Sequence, residues 1–329
     1  MMRDMRALGA FLCAVLLLAA CDSGGSASRG DAAGAPGTDG GARTDAGNDA
    51  GQGARGPSIT VMTYNVLCAT ICGIGEYDPW EERIVHHADI FARHDPDLMA
   101  LQELSTREQV EQMLDAAPGH EAIYFDDGNA WADATIMYRK ARFEVVDSGE
   151  YWLSPTPDKP RSRGFADGLQ LTRLVVWALL HDKHTDRELF FASTHFDNNS
   201  PSQEKSAPLV LERTLPFVKT HPVIFAGDFN STLSDTAYKI LTGEVRHDSF
   251  VFVNTQTIAD DWSIVTNRDP EPEYDLGTVI DHIFVAGEGV DWSITRWTAD
   301  LYSHGPMDRY PSDHFPIVAN LDFAGPPAK

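Results

Sequence analysis

The chain has 329 residues, 43% of them hydrophobic and 23% charged, which is the composition of a soluble globular protein with room for one large domain or two small ones. Twenty-six Lys and Arg against 49 Asp and Glu give a formal charge of −23. Such acidity argues against tight electrostatic binding of long nucleic acid, which needs basic surface to displace phosphate counterions, but it leaves small phosphorylated ligands open where a metal reverses the local field.

Residues 1–20 read as an export signal. Arg3 and Arg6 precede a short apolar run, Ala7 to Leu18, and small residues lead to Leu18-Ala19-Ala20-Cys21. Ending on Cys, the segment resembles the bacterial lipobox, which implies lipidation of Cys21 and a lipid anchor in the cell envelope, on the periplasmic or the outer surface. A plain signal peptide with a chance Cys is the alternative. Residues 21–57 form a Gly/Ala/Asp-rich stretch with nothing apolar larger than Ala and Pro after Cys21. It cannot build a core and is expected to be a disordered tether, reaching roughly 30–36 Å as a flexible coil. The folded domain is expected over 58–329, and most of the acidity belongs to it. No apolar run there is long enough to span a bilayer. Its two cysteines, Cys68 and Cys72, stand four apart. A disulfide closing a small loop is favoured in an exported chain; free thiols and a zinc site are the alternatives, the last lacking a second ligand pair nearby.

From Ile59 the pattern alternates between strand and helix. Ile59–Val66 is β-rich, Trp80–Arg93 carries Ile84, Ala88 and Phe91 at helical spacing, and Leu98–Gln102 is a short apolar strand. A helix is expected over about Thr106–Leu114. Strands follow near Ala122–Phe125, Ala134–Tyr138, Phe143–Val146, Leu174–Leu180, Leu189–Thr194 and Val223–Ala226. The last two flank a helix from about Gln203 to Lys219, with a bend expected at Pro208. Val279–Val285, Ser293–Thr298 and Phe315–Phe323 complete the strands. Some alternate in polarity and others are continuously apolar, as expected of sheets with differently covered faces.

Polar residues gather where these strands stop: Asn65, Glu103, His195 with Asp197, Asp228 with Asn230, Asp281-His282 and Asp313-His314. In extended backbone, residues two apart share a side, so His195 with Asp197 and Asp228 with Asn230 are expected to converge, whereas Asp313 and His314 point apart. Each has an ordinary structural explanation as a turn or cap residue. Together they are oxygen donors and imidazoles without Cys, a set that suits magnesium, manganese or calcium.

In chain order, Thr63-Tyr64-Asn65, Leu101-Gln102-Glu103, Ser193-Thr194-His195-Phe196-Asp197, Gly227-Asp228-Phe229-Asn230, Ile280-Asp281-His282-Ile283-Phe284 and Ser312-Asp313-His314-Phe315-Pro316 resemble the motif series of the endonuclease/exonuclease/phosphatase superfamily. The resemblance runs from Ile59 to about Phe323. It implies an α/β fold, a four-layer sandwich of two mixed β-sheets packed face to face with helices outside, and a metal-dependent hydrolase of phosphate esters. It also implies that Glu103 is the main ligand of Mg2+ (or Mn2+ or Ca2+), with Asn65 and Asp313 nearby. Asp228 and Asn230 would position or activate the attacking water. His314 paired with Asp281 would stabilise the transition state or transfer a proton, and His195 would protonate the leaving oxygen or bind phosphate.

For Arg173, phosphate binding and a plain surface role are equally expected. Lys159, Arg161 and Arg163 are either a substrate-facing loop or a solvated one. His86, His87, His181 and His184 are read as surface or structural. A nuclease, a headgroup phosphodiesterase and a small-molecule phosphatase remain open, beside an inactive surface binding module on the same fold and a metal hydrolase of another bond. A phosphate ester and the membrane are the expected partners; no protein partner is expected, and the chain is read as a monomer.

Overall fold

The computed structural model describes residues 57–325 apart from 71, 74 and 166–170. The signal segment 1–20, Cys21 and all but the last residue of the tether lie outside the described residues.

Strand β1 (Ile59–Asn65) is followed by α1 (Trp80–His94), β2 (Leu98–Gln102), α2 (Arg107–Ala116), β3 (His120–Asp126), β4 (Ala130–Arg139) and β5 (Phe143–Trp152). Then come β6 (Leu174–Asp182), β7 (Arg187–His195), α3 (Ser202–Val218), β8 (Val223–Asp228), α4 (Thr236–Thr242), β9 (Val253–Asn254) and α5 (Thr255–Ile258). The chain closes with β10 (Trp262–Thr266), a 3-10 turn at Leu276–Thr278, β11 (Asp281–Ala286), β12 (Asp291–Leu301) and β13 (Ile317–Ala324).

These strands make two mixed sheets, one ordered β10-β12-β13-β1-β2-β4-β3 and the other β5-β6-β7-β8-β11-β9. Side-chain alternation explains how they stack. Val61, Leu98, Ala100 and Ile136 of the first sheet meet Val176, Phe191, Ile224 and Ile283 of the second in one core between them. On the opposite face of the first sheet, Met62, Tyr64 and Leu101 pack against Ile90 and Phe91 of α1 and Met113 of α2. On the opposite face of the second, Phe190, Val223 and Phe225 pack against Val210 and Leu211 of α3 and Leu241 of α4. The result is the four-layer sandwich, and central strands such as β2 and β8 are apolar throughout because both their faces are covered.

Local chemistry sets the helix boundaries. Thr106 and Gln109 form a reciprocal capping box at the start of α2. Asp95, in the left-handed region, closes α1 with its N–H on the Phe91 carbonyl. The buried face of α1 is Trp80, Arg83, His87, Ile90 and Phe91, rotated from the Ile84–Ala88–Phe91 stripe expected from the sequence. The polar Arg83 and His87 occupy the inner face because each meets a specific partner: Arg83 a set of carbonyls, and His87 the rings of Tyr64 and Trp80. Helix α3 runs through both Pro208 and Pro216.

Candidate active site

Strand register assembles one half of the site. β7 runs parallel to β8 with His195 opposite Asp228, and β8 runs antiparallel to β11 with Asp228 opposite Asp281. His195, Asp228 and Asp281 therefore stand side by side across three strand ends. Gly227 permits this spacing, since a Cβ there would collide with the Thr194 carbonyl oxygen of the neighbouring strand. The other half comes from the first sheet, where Asn65 ends β1 beside Gln102. Glu103 follows with φ 71°, a left-handed conformation that is costly for a residue other than Gly. Its carboxylate accepts from Asn65 Nδ2 at 3.0 Å and from the Cys68 N–H at 2.7 Å. Asn65 Nδ2 also donates to Asp228 Oδ2 at 3.1 Å, so a single amide links the two sheets.

Asp228 is buried and lies between two imidazoles. Its Oδ2 is 3.3 Å from His195 Nε2 and 3.7 Å from His314 Nε2, while Oδ1 accepts the Asn230 N–H at 2.8 Å. Burial alone would raise its pKa, yet the charges of His314 and His195 hold it below the usual carboxylate value. His314 Nδ1 lies 2.8 Å from Asp281 Oδ2. Burial opposes a charged imidazole, but the carboxylates of Asp281 and Asp228 lift His314 well above the ordinary histidine value. On the far side, His195 Nδ1 is 3.0 Å from Asp133 Oδ1 and 2.7 Å from Arg173 Nη1, which is itself 2.5 Å from Asp133 Oδ2. Burial would raise Asp133, but Arg173 and His195 pull it far below its usual range.

Two loops complete the site, and Arg83 joins them. Only 2% exposed, its guanidinium donates to the carbonyls of Asp78, Val66, Leu67, Cys68 and Pro311 at 2.6–3.1 Å. The loop behind Asn65 is thereby fastened to the segment that carries Asp313. A disulfide between Cys68 and Cys72, whose Cα atoms are 5.4 Å apart, closes the same loop. Asp313 stands at the solvent edge, yet its carboxyl is pushed up, first by desolvation in the cleft and then by the negative charges of Glu103 and Asp228, against the lowering effect of His314.

The endonuclease/exonuclease/phosphatase family model matches residues 62–314. The chain belongs to this family. Family members are hydrolases acting on phosphate esters and generally depend on a divalent metal. Among solved structures, the mannosyl-6-phosphatase of Bacteroides thetaiotaomicron is 30% identical with a TM-score of 0.69, covering 80% of this chain and 99% of that one. A second family protein of Bacteroides thetaiotaomicron is 29% identical with the same TM-score, 0.69, covering 82% and 99%. An uncharacterized protein of Acanthamoeba polyphaga mimivirus is 23% identical over 272 residues, 79% of this chain and 98% of its own length.

Of the family positions read from the sequence, Asn65, Glu103, His195, Asp228, Asp281 and His314 form one connected set. Asn230 joins it differently from expectation. Its φ of 46° breaks the extended alternation, so its backbone N–H reaches Asp228 while its side-chain amide turns to the Phe196 carbonyl. His195 and Asp197 do not converge: β7 ends at His195, and Asp197 instead accepts the Asn199 N–H and side-chain amide at 2.9 and 2.8 Å. Arg173 is not a surface residue, with its side chain 14% exposed and one nitrogen committed to Asp133 and His195. In the basic loop, Arg161 pairs with Asp127 at 2.9 Å, and Arg163 faces a cleft. Sequence reading missed Asp133 and Arg83. The signals were an acid inside Ala132-Asp133-Ala134 of an apolar strand, and an Arg three residues after Trp80 on the buried helix stripe.

Proposed function

We propose that this chain is an exported, divalent-metal-dependent phosphatase of small phosphomonoesters. The carrying observation is the buried Asp228 carboxylate set between His195 and His314 and tied through Asn65 to Glu103. This places a base, two imidazoles and an anionic ligand set around one point. A monoester is favoured by 30% identity across 99% of a mannosyl-6-phosphatase and by the acidity of the chain, which suits a small ligand better than a nucleic acid track.

Asn65, whose Nδ2 donates to Glu103 and whose Oδ1 accepts the Leu67 N–H at 3.1 Å, would orient the carboxylate, and Glu103 and Asp313 would hold the cation. Their hard oxygen donors suit Mg2+, with Mn2+ or Ca2+ as substitutes. Among the described residues, neither Glu103 nor Asp313 has a cationic side chain in salt-bridge contact, and their mutual repulsion calls for a positive charge. When bound, the ion supplies charge neutralisation at the phosphoryl oxygens. The rest of the reaction falls to the chain's own groups. Asp228, ionised and held by the Asn230 N–H, orients the attacking water and takes its proton. His314, kept charged by Asp281, donates to a phosphoryl oxygen as negative charge builds there. His195, held at Nδ1 by Asp133 and Arg173, would give a proton to the departing alcohol oxygen. At the other end of the chain, lipidation of Cys21 would place the enzyme at a membrane. In a bacterial host, Cys21→Ser should move it from the membrane fraction to the soluble fraction, and unchanged fractionation would reject the anchor.

Residues 58–329, assayed with magnesium, manganese and calcium, should hydrolyse mannose 6-phosphate and p-nitrophenyl phosphate faster than bis-p-nitrophenyl phosphate, RNA, plasmid DNA or sphingomyelin. Preference for a diester would replace the proposal by a phosphodiesterase, and silence on every ester would make the chain a binding module.

A further inference from the structure

Next to the catalytic cluster lies a cleft of about 330 Å³ that shares Asp133 and Arg173 with it. Leu104 and Ser105, immediately after Glu103, form part of its lining, and Trp131, Arg163, Leu171 and Thr172 form the rest. We propose that this cleft seats the leaving group and that its chemistry selects a pyranose ring, an inference that rests on the phosphomonoesterase reading.

The two kinds of lining suit the two kinds of surface on such a ring. A pyranose presents an apolar C–H face and a rim of hydroxyl groups. The indole of Trp131 and the Leu104 and Leu171 side chains offer apolar contact, while the Ser105 and Thr172 hydroxyls and the Arg163 guanidinium offer hydrogen bonds to the rim. Trp131 is held for this purpose. Its ring packs partly on the core between the sheets, and Arg161, fixed by Asp127 at 2.9 Å, lies 5.7 Å from the ring centroid. Size narrows the ligand further. The volume sits at the low end of the range for small-molecule sites, roughly 300–1,000 Å³, which is room for one monosaccharide. Position fixes its role: a phosphate bound among Asn65, Asp228 and His195 directs its ester oxygen past Arg173 and Asp133, which line both the site and the cleft.

The test compares kcat/KM for mannose 6-phosphate with kcat/KM for methyl phosphate, which has no ring, in wild type, Arg163→Ala, Trp131→Ala and Trp131→Phe, with adenosine 5′-monophosphate as a third substrate. Wild type should favour the sugar phosphate by about tenfold or more. Arg163→Ala and Trp131→Ala should each lower that ratio by about tenfold, mainly through KM, and Trp131→Phe should restore most of it. Arg163 is exposed, so its replacement leaves the fold intact and decides the matter even if Trp131→Ala misfolds. A ratio unmoved by Arg163→Ala, or a wild type that prefers the nucleotide, overturns the inference. An enzyme that cleaves methyl phosphate without preference for the sugar rejects the pyranose cleft alone; one that cleaves no monoester with any metal rejects the functional reading beneath it.

Discussion

His314 faces two carboxylates at once, Asp281 at 2.8 Å through Nδ1 and Asp228 at 3.7 Å through Nε2. A positive imidazole so placed contributes mainly when negative charge develops on the phosphoryl group, so His314→Ala should depress kcat far more than it raises KM. The loss of one such donor is worth roughly 2.7–4 kcal/mol, about a hundred- to a thousandfold in rate. Asp281→Asn should cost less, and the double variant should fall short of the product of the singles because the pair acts as a unit. Steady-state kinetics on p-nitrophenyl phosphate decides this, and multiplicative losses would make the pair independent. The adjacent His282 behaves in the opposite way. It is buried, with Nε2 donating to the Ser231 carbonyl at 2.8 Å, and burial pushes its pKa down to about 4 against the small raising effect of that contact and of Asp228. The unfolded imidazole titrates near 6.5. As pH falls, the unfolded chain takes the proton first, so the stabilisation present above pH 6.5 drains away between about 6.5 and 4. Urea unfolding at pH 7 and 4.5 should show wild type losing roughly 2 kcal/mol more than His282→Gln. Equal losses would mean that His282 is charged in the folded protein.

At the level of elements, the site is an agreement between strand ends and two loops. β1, β2, β7, β8 and β11 deliver Asn65, Glu103, His195, Asp228 and Asp281, and α1 secures the loops through Arg83. Much of this was legible in advance. Ile59–Asn65 and Val223–Asp228 are short runs, apolar or β-branched, that end on a polar residue, and Thr106 with Gln109 marks a helix start. What was not legible depends on the third dimension. Asp133 is one acid in a β-strand until β4 is laid over β7 and meets His195 and Arg173. The half-exposed strand β10 at the edge of its sheet and the seven-residue helix α4 carry too little periodicity to announce themselves. Asn230 departed from simple alternation because it occupies a left-handed turn directly after β8.

For the whole molecule, the question is how a chain of formal charge −23 attracts and cleaves a phosphate ester. Glu103, Asp228, Asp281 and Asp313 add negative charge at the site, and among the described residues Arg173, Arg83 and the imidazoles oppose it locally. On the proposed reading a cation resolves the conflict by inverting the sign of the local field, while the acidic exterior disfavours polyanions. The measurement that tests this most directly is a magnesium titration of chelator-stripped protein, following hydrolysis of mannose 6-phosphate in parallel with calorimetric binding of the ion. Turnover should be absent in saturating chelator, return as magnesium is added, and remain absent in Glu103→Gln, whose calorimetric affinity should fall as well. Full turnover of the stripped protein in chelator, or a Glu103→Gln enzyme that matches wild type, would contradict the metal-centred account.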